Sequence, residues 1–215
     1  MALGNDIVDL NDPFAREKGR CRRYASRVLS FRELVWWEES RDPSRLLWTC
    51  WSAKEAAYKA FRKIAGPVPF LPKRIEMTED PGEREPELRG TVDTPWGKAL
   101  FRLLRESTHV HALCAPAEEN ILDRARWHID GMTPMSSGEK EEVAADPSRA
   151  VRRAAVKVLA PILGVREEDI RIIRNHGGAV TSVPILLVGN KELPVDLSLS
   201  HDGRYVAVAF MSHSK

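Results

Sequence analysis

The chain has 215 residues, 43% of them hydrophobic, with 33 lysines and arginines against 31 aspartates and glutamates. That apolar content suits one or two compact domains with a core, and a net charge of +2 is too even to imply a nucleic-acid partner. Cys21, Cys50 and Cys114 are odd in number and far apart, which argues against a disulfide framework or a paired-cysteine zinc site, and no apolar run reaches membrane-spanning length. The opening Met1–Asp6 lacks the basic head and long apolar stretch of a secretory leader, so a reduced, cytoplasmic protein is expected.

Ala2 to Leu10 reads as a first strand with Asp6 and Asp9 set into it, closed by the turn signal Asn11-Asp12-Pro13. Residues 13–40 are helical in character. Asp42-Pro43-Ser44 opens a longer helix, with Leu47, Trp51, Ala57, Phe61 and Ile64 at helical spacing until Gly66-Pro67. Four strands are expected next, at Arg74–Thr78, Glu87–Asp93, Lys98–Leu104 and His109–Ala115. The second half repeats the order more faintly. Arg126–Gly131 is a strand and 133–146 a loop or loose helix. Ser148–Leu163 is a helix with Val151, Ala155, Val158, Leu159 and Ile162 on one stripe. Strands follow at Ile170–Arg174, Ile185–Val188, Val195–Ser200 and Tyr205–Met211. The expected fold class is α+β, in two lobes spanning 1–118 and 119–215, each a small antiparallel sheet packed with helices.

Three blocks carry chemistry. In Gly4-Asn5-Asp6-Ile7-Val8-Asp9-Leu10, Asp6 is either a solvated strand-end residue or a buried carboxylate that needs a cation. In Trp51-Ser52-Ala53-Lys54-Glu55-Ala56-Ala57-Tyr58-Lys59, Glu55 and Lys59 share a helix face and Lys54 lies in the adjacent column. This is either an ordinary surface pair or, beside the tryptophans and alanines, a place for a metal and a phosphate. In Leu197-Ser198-Leu199-Ser200-His201-Asp202-Gly203-Arg204-Tyr205, a strand, tight turn and strand present a Ser-His pair. The histidine is structural or phosphate-binding. It is not a hydrolase base, because the chain has no Gly-x-Ser-x-Gly elbow.

Together and in this order, the blocks resemble the signatures of the 4′-phosphopantetheinyl transferase superfamily: a Gly-x-Asp strand, a Trp-x-x-Lys-Glu-x-x-x-Lys helix and a Ser-x-Ser-His strand. Residues 19–30 resemble a helix of the small holo-acyl-carrier-protein synthases, and residues 148–210 the N-terminal half of the larger surfactin-synthetase-type enzymes. The halves stand in reversed order relative to the larger enzymes, so the resemblance implies a circularly permuted pseudo-dimer with its site between its own lobes, active as a monomer. Two departures stand out. The basic residue of a Gly-Lys/Arg-Pro string is replaced in Ser182-Val183-Pro184. The second acid of the larger enzymes falls on Val8, with Asp9 one position later, which leaves the third protein ligand to the metal open.

The resemblance implies transfer of the phosphopantetheine arm of coenzyme A to a serine of an acyl, polyketide or peptidyl carrier protein, releasing adenosine 3′,5′-bisphosphate. It implies Mg2+ held by Asp6 and Glu55, with Glu55 as the serine's base directly or through a metal-bound water. Lys59 is implied at the pyrophosphate, Lys54 as an electrostatic helper, and Ser200, His201 and Arg153 (or Arg152) as contacts to coenzyme A. Arg16, Lys18, Arg20, Arg22, Arg23 and Arg27 crowd one segment with only Glu17 opposing. They form either a solvated helix or, as the resemblance favours for Arg20 and Arg23, a dock for an acidic carrier helix. A coenzyme A-binding module without catalysis is the alternative, opposed by the joint presence of Asp6, Glu55 and Lys59. Neither nucleic acid nor membrane is an expected partner.

Overall fold

A computed structural model describes residues 2–82, 85–117, 121–131, 147–174 and 183–212. The expected loop at 133–146 and Ser182 lie outside the described residues. The first half opens with strand β1 (Gly4–Asp9), followed by helices α1 (Pro13–Gly19), α2 (Arg22–Val28), α3 (Phe31–Glu39) and α4 (Pro43–Ala65). Strands β2 (Glu76–Met77), β3 (Glu87–Thr94), β4 (Gly97–Arg105) and β5 (His109–Pro116) complete it.

Local signals explain the breaks. Asp12 caps α1 by accepting from the Phe14 amide, and Asp42 caps α4 by accepting from the Arg45 amide, each with proline in the first helical position. Ser30 and Glu33 form a reciprocal capping box at α3. The helical stretch read at 13–40 is therefore three helices. The strand expected at Arg74–Thr78 is shorter than read: Pro72–Arg74 forms a 3-10 turn, and pairing begins at Glu76.

The second half holds β6 (Arg126–Gly131), α5 (Pro147–Leu163), β7 (Ile170–Arg174), β8 (Pro184–Val188), β9 (Lys191–Glu192), β10 (Val195–Asp202) and β11 (Tyr205–Ser212). The sequence reading lacked β9, which is two residues long. Among the described residues the strands form an antiparallel five-stranded sheet, β1-β5-β4-β3-β2, and two three-stranded sheets, β10-β11-β6 and β7-β8-β9. The class is mixed helix and antiparallel sheet, as the sequence suggests.

Helix α4 is the spine of the first half. Its face of Ala53, Ala56, Ala57 and Ala60 is fully buried with Leu47 and Phe61. Gly4 of β1 makes the close approach possible, because a Cβ there would lie 1.9 Å from the Ala56 carbonyl oxygen. The apolar stripe fails at its end, where Ile64 is 56% exposed. In α5, Val151, Ala155 and Leu159 are buried as read, but Ile162 is exposed. The three cysteines are free thiols. No described helix is long and apolar enough to cross a membrane.

The two halves meet where β1, an edge strand, runs beside β10. The edge amides of β1 are not left bare. Leu3, Asn5, Ile7 and Asp9 donate in turn to Asp196 Oδ2, Ser198 Oγ, Ser200 Oγ and Asp202 Oδ2, at 2.5, 2.9, 3.2 and 2.8 Å. Alternate side chains of β10 thus form a comb that stands in for a backbone ladder.

Candidate active site

The second residue of each pleat on β1 faces α4, which puts Asp6 under the helix that carries Glu55 and Lys59. The Asp6 side chain is 5% exposed. Its Oδ1 accepts from Lys59 Nζ at 2.8 Å and from Ser200 Oγ at 2.9 Å, while Oδ2 is buried with no partner among the described residues. One helical turn before Lys59, Glu55 presents Oε1 at 3.2 Å from the same ammonium. Two carboxylates therefore share one lysine, and one of the four oxygens is buried and unanswered.

Burial and then the Glu55 charge push the Asp6 carboxyl up to about 7, against the pull of Lys59 and Ser200. Burial alone would lower the Lys59 ammonium, but the charges of Asp6 and Glu55 outweigh it and leave it raised. A buried carboxylate that resists ionisation, beside a second acid, is an arrangement that a divalent cation would relieve. Among the described residues no group of three or more His, Cys, Asp or Glu gathers into a metal site. Two carboxylates with the remaining positions left to phosphate and water is a habit of magnesium, so the donor set fits that ion.

Asp6 and Glu55 open into a cleft of about 230 Å³, whose wall also holds His201, Asp202, Tyr24 and Trp51. Burial and the Glu55 charge both raise the Tyr24 hydroxyl. The aromatic side of the cleft is a continuous set of ring contacts, Phe14 to Tyr24 at 5.9 Å, Tyr24 to Trp48 at 5.9 Å and Trp48 to Trp51 at 6.4 Å. Lys59 also lines a second cleft of about 220 Å³, with Arg62, Lys63, Arg174 and Pro184. Lys63 is tied to Asp196 at 2.5 Å and Arg62 lies over the Tyr58 ring at 5.4 Å. Arg174 Nη2 donates to Ser148 Oγ at 3.1 Å. This second cleft is cationic and suits a phosphorylated ligand.

The structure brings Asp6, Glu55, Lys59, Ser200 and His201 together. Lys54 is not with them. It points a third of a turn away into the core, fully buried, paired with Glu33 at 2.5 Å and bonded to the carbonyls of Val28 and Pro72. The expectation that it assists the chemistry is corrected, because the adjacent column of α4 faces the interior rather than the cleft. Arg153 is exposed on α5, and Arg152 donates to Ser148 Oγ at 2.8 Å. Arg20 and Arg23 are exposed at the end of α1 and the start of α2.

Asp9 is the acid one place beyond Val8. It is 1% exposed, and both its oxygens are taken by the Arg204 side chain at 2.8 Å, with the Arg204 and Asn11 amides in addition. Burial works against its ionisation, but the hydrogen bonds from Arg204 outweigh it and the net shift is downward. Asp9 is thus a latch for the β10–β11 turn and has no free oxygen to offer a metal. Gly203 is required in that turn, since its φ is +49° and a Cβ would meet Asp9 Oδ2 at 2.6 Å.

Sequence reasoning missed Arg62, Lys63, Arg174 and this latch. Lys59 and Lys63 stand four apart on α4, which could have marked a second cationic turn. Nothing local marks Arg174 or Arg204, because their partners lie far along the chain.

A family model described as the 4′-phosphopantetheinyl transferase superfamily matches residues 2–116. No curated protein matches the chain. Among solved structures, the chain is similar to a holo-[acyl-carrier-protein] synthase from Neisseria meningitidis, at 21% identity and a TM-score of 0.39 over 53% of this chain and 94% of that one. It is also similar to a holo-[acyl-carrier-protein] synthase from Thermotoga maritima, at 14% identity and a TM-score of 0.39 over 85% of this chain and 84% of that one.

Proposed function

The chain belongs to the 4′-phosphopantetheinyl transferase superfamily, and on that premise we propose that it transfers the 4′-phosphopantetheine group of coenzyme A to a serine of an acyl or peptidyl carrier protein. The observation that carries the reading is the buried Asp6 carboxylate, with one oxygen unanswered, sharing Lys59 with Glu55 at the mouth of a cleft. A carboxylate pair with a shared ammonium is the equipment for a pyrophosphate and its counter-ion.

Asp6 and Glu55 would hold magnesium, which when bound supplies charge neutralisation at the pyrophosphate. The cationic cleft of Lys59, Arg62 and Arg174 takes phosphate groups of coenzyme A, and Arg174 offers a basic contact beside Val183, where the Gly-Lys/Arg-Pro string lacks one. His201 faces the cleft with the carboxylates and is within its wall. The carrier serine oxygen attacks the β-phosphorus, and the bond from that phosphorus to the leaving bisphosphate breaks. The serine proton passes to a Glu55 oxygen, and the Lys59 ammonium steadies the departing phosphate and can return a proton to it.

Arg20 and Arg23, exposed in the chain segment between Phe14 and Tyr24 of the cleft wall, provide a basic surface for an acidic carrier helix. The lobes divide near residue 118, and one chain completes its own site. The test is intact-protein mass spectrometry of apo carrier proteins incubated with coenzyme A, magnesium and this chain. The gain of one phosphopantetheine on fatty-acid, polyketide or peptide-synthetase carriers is expected. Unmodified carriers across all three, with coenzyme A still bound, would leave a binding module in its place.

A further inference from the structure

Ser200 has a hydroxyl with one proton to donate and two lone pairs to fill. The donor goes to Asp6 Oδ1 at 2.9 Å, and the lone pairs take the Ile7 amide and Lys59 Nζ, each at 3.2 Å. The residue is 5% exposed. Its hydrogen-bonding capacity is therefore filled within the protein, at the one tooth of the β10 comb that touches a site carboxylate. Ser198, one pleat earlier, fills the same structural office for Asn5 at 2.9 Å.

Of the two groups on Asp6 Oδ1, only Ser200 is short and fixed by strand register, where it stands opposite Ala207 of β11. Lys59 is long and also serves Glu55. Rotation of the carboxyl group about its last bond is soft, so a single flexible ammonium would not fix which oxygen faces outward from that contact. Ser200 and Lys59 together pin Oδ1 and leave Oδ2 as the open atom.

We infer that Ser200 is a positioning residue for the Asp6 carboxylate, and that its hydroxyl is not a contact to the phosphates of the co-substrate. This rests on the reading of Asp6 as a metal ligand. The comb then has two offices: it joins the halves of the chain, and at Ser200 it couples that junction to the aim of Asp6.

The test uses the full chain and Mn2+ as probe, with free Mn2+ followed by electron paramagnetic resonance. Adenosine 3′,5′-bisphosphate binding is measured separately by calorimetry in a chelator. Ser200→Ala is expected to weaken Mn2+ binding about tenfold or more, the scale of lost support behind a metal ligand. Ser198→Ala should match the wild type in Mn2+ affinity while sharing any loss of melting temperature from an unanswered β1 amide. Metal-free bisphosphate affinity of Ser200→Ala should equal that of the wild type. Ser200→Cys, similar in size but a weak donor, carries the test if the alanine variant does not fold, with the same direction expected. Unchanged Mn2+ affinity in the Ser200 variants overturns the inference, as does weakened metal-free bisphosphate binding. Asp6→Asn separates the two levels. If it too binds Mn2+ like the wild type, the metal reading falls and this inference with it; if it loses Mn2+ while the Ser200 variants keep it, only this inference falls.

Discussion

The first half of the chain, 4–116, and the second, 126–212, use the same order of elements to different ends. Each runs from a strand (β1 or β6) through a helix (α4 or α5) to a strand pair (β4–β5 or β10–β11), with the first strand paired to the last. Yet every residue of β1 is buried, whereas β6 alternates between half-buried and exposed. Helix α4 carries Glu55, Lys59 and Lys63, while Ser148–Leu163 of α5 carries only basic charge. A strand covered on both sides can hold a carboxylate away from water and raise its pKa. Strand β6 is open to water and leaves its own acid, Asp130, exposed. The second half instead lends its β10 edge, whose side chains answer the amides of β1. Repetition of the chain order does not require repetition of the chemistry.

The sharpest way to break this division is Glu55→Gln, which keeps the shape of α4 and removes one of the two acids. Transfer should fall by about 10²–10⁴-fold, the usual contribution of a positioned base, with an unchanged far-ultraviolet circular dichroism spectrum. Near-normal turnover would take the chemistry away from the first half. Gly4→Ala attacks the burial of β1. The added Cβ would sit 1.9 Å from backbone rather than from a flexible side chain, so a loss of about 3 kcal/mol or more is expected by urea denaturation. Wild-type stability in that variant would mean that α4 does not press on β1 as described.

A pH series sharpens the comparison further. Because the Asp6 carboxyl is raised to about 7, its binding-competent anion is depleted below that pH. Mn2+ affinity should drop by about tenfold per pH unit below 7 and level off above it. In the metal-free protein the same shift means that the fold holds this proton more tightly than the unfolded chain does. The group's contribution to stability therefore declines as pH rises from about 4 to about 7. A titration of Mn2+ that is flat from pH 5 to 8 would remove the burial argument. The smallest expected effect belongs to the surface. Replacing Arg20 and Arg23 by glutamate should slow capture of carrier protein on the order of 5-fold at low salt and flatten the salt dependence, with coenzyme A binding unchanged. Unchanged capture would leave the two arginines as solvated surface.

Much of the fold is legible in the sequence because its signals are local. Proline and aspartate open α1 and α4, Gly66 ends α4, and alternating or apolar runs between turn signals mark β3–β5 and β10–β11. The site is only half legible. Glu55 and Lys59 show their shared face through four-residue spacing, but the same spacing could not tell that Lys54 would turn inward to Glu33. The polar alternation Asp196, Ser198, Ser200, Asp202 does not show its partner through local spacing. It is a face that meets β1, at a separation of 193 residues in every hydrogen bond. Asp9 looks like a spare ligand in the sequence for the same reason, since its claimant, Arg204, stands 195 residues away.

The central claim is that the acids of the first half and the β10 edge of the second make one complete site within a single chain. Active-enzyme sedimentation, with transfer followed in the moving band at assay concentration, tests it most directly. The account predicts activity travelling at the rate of a single chain. Activity confined to a trimer, with single chains inert, would contradict it.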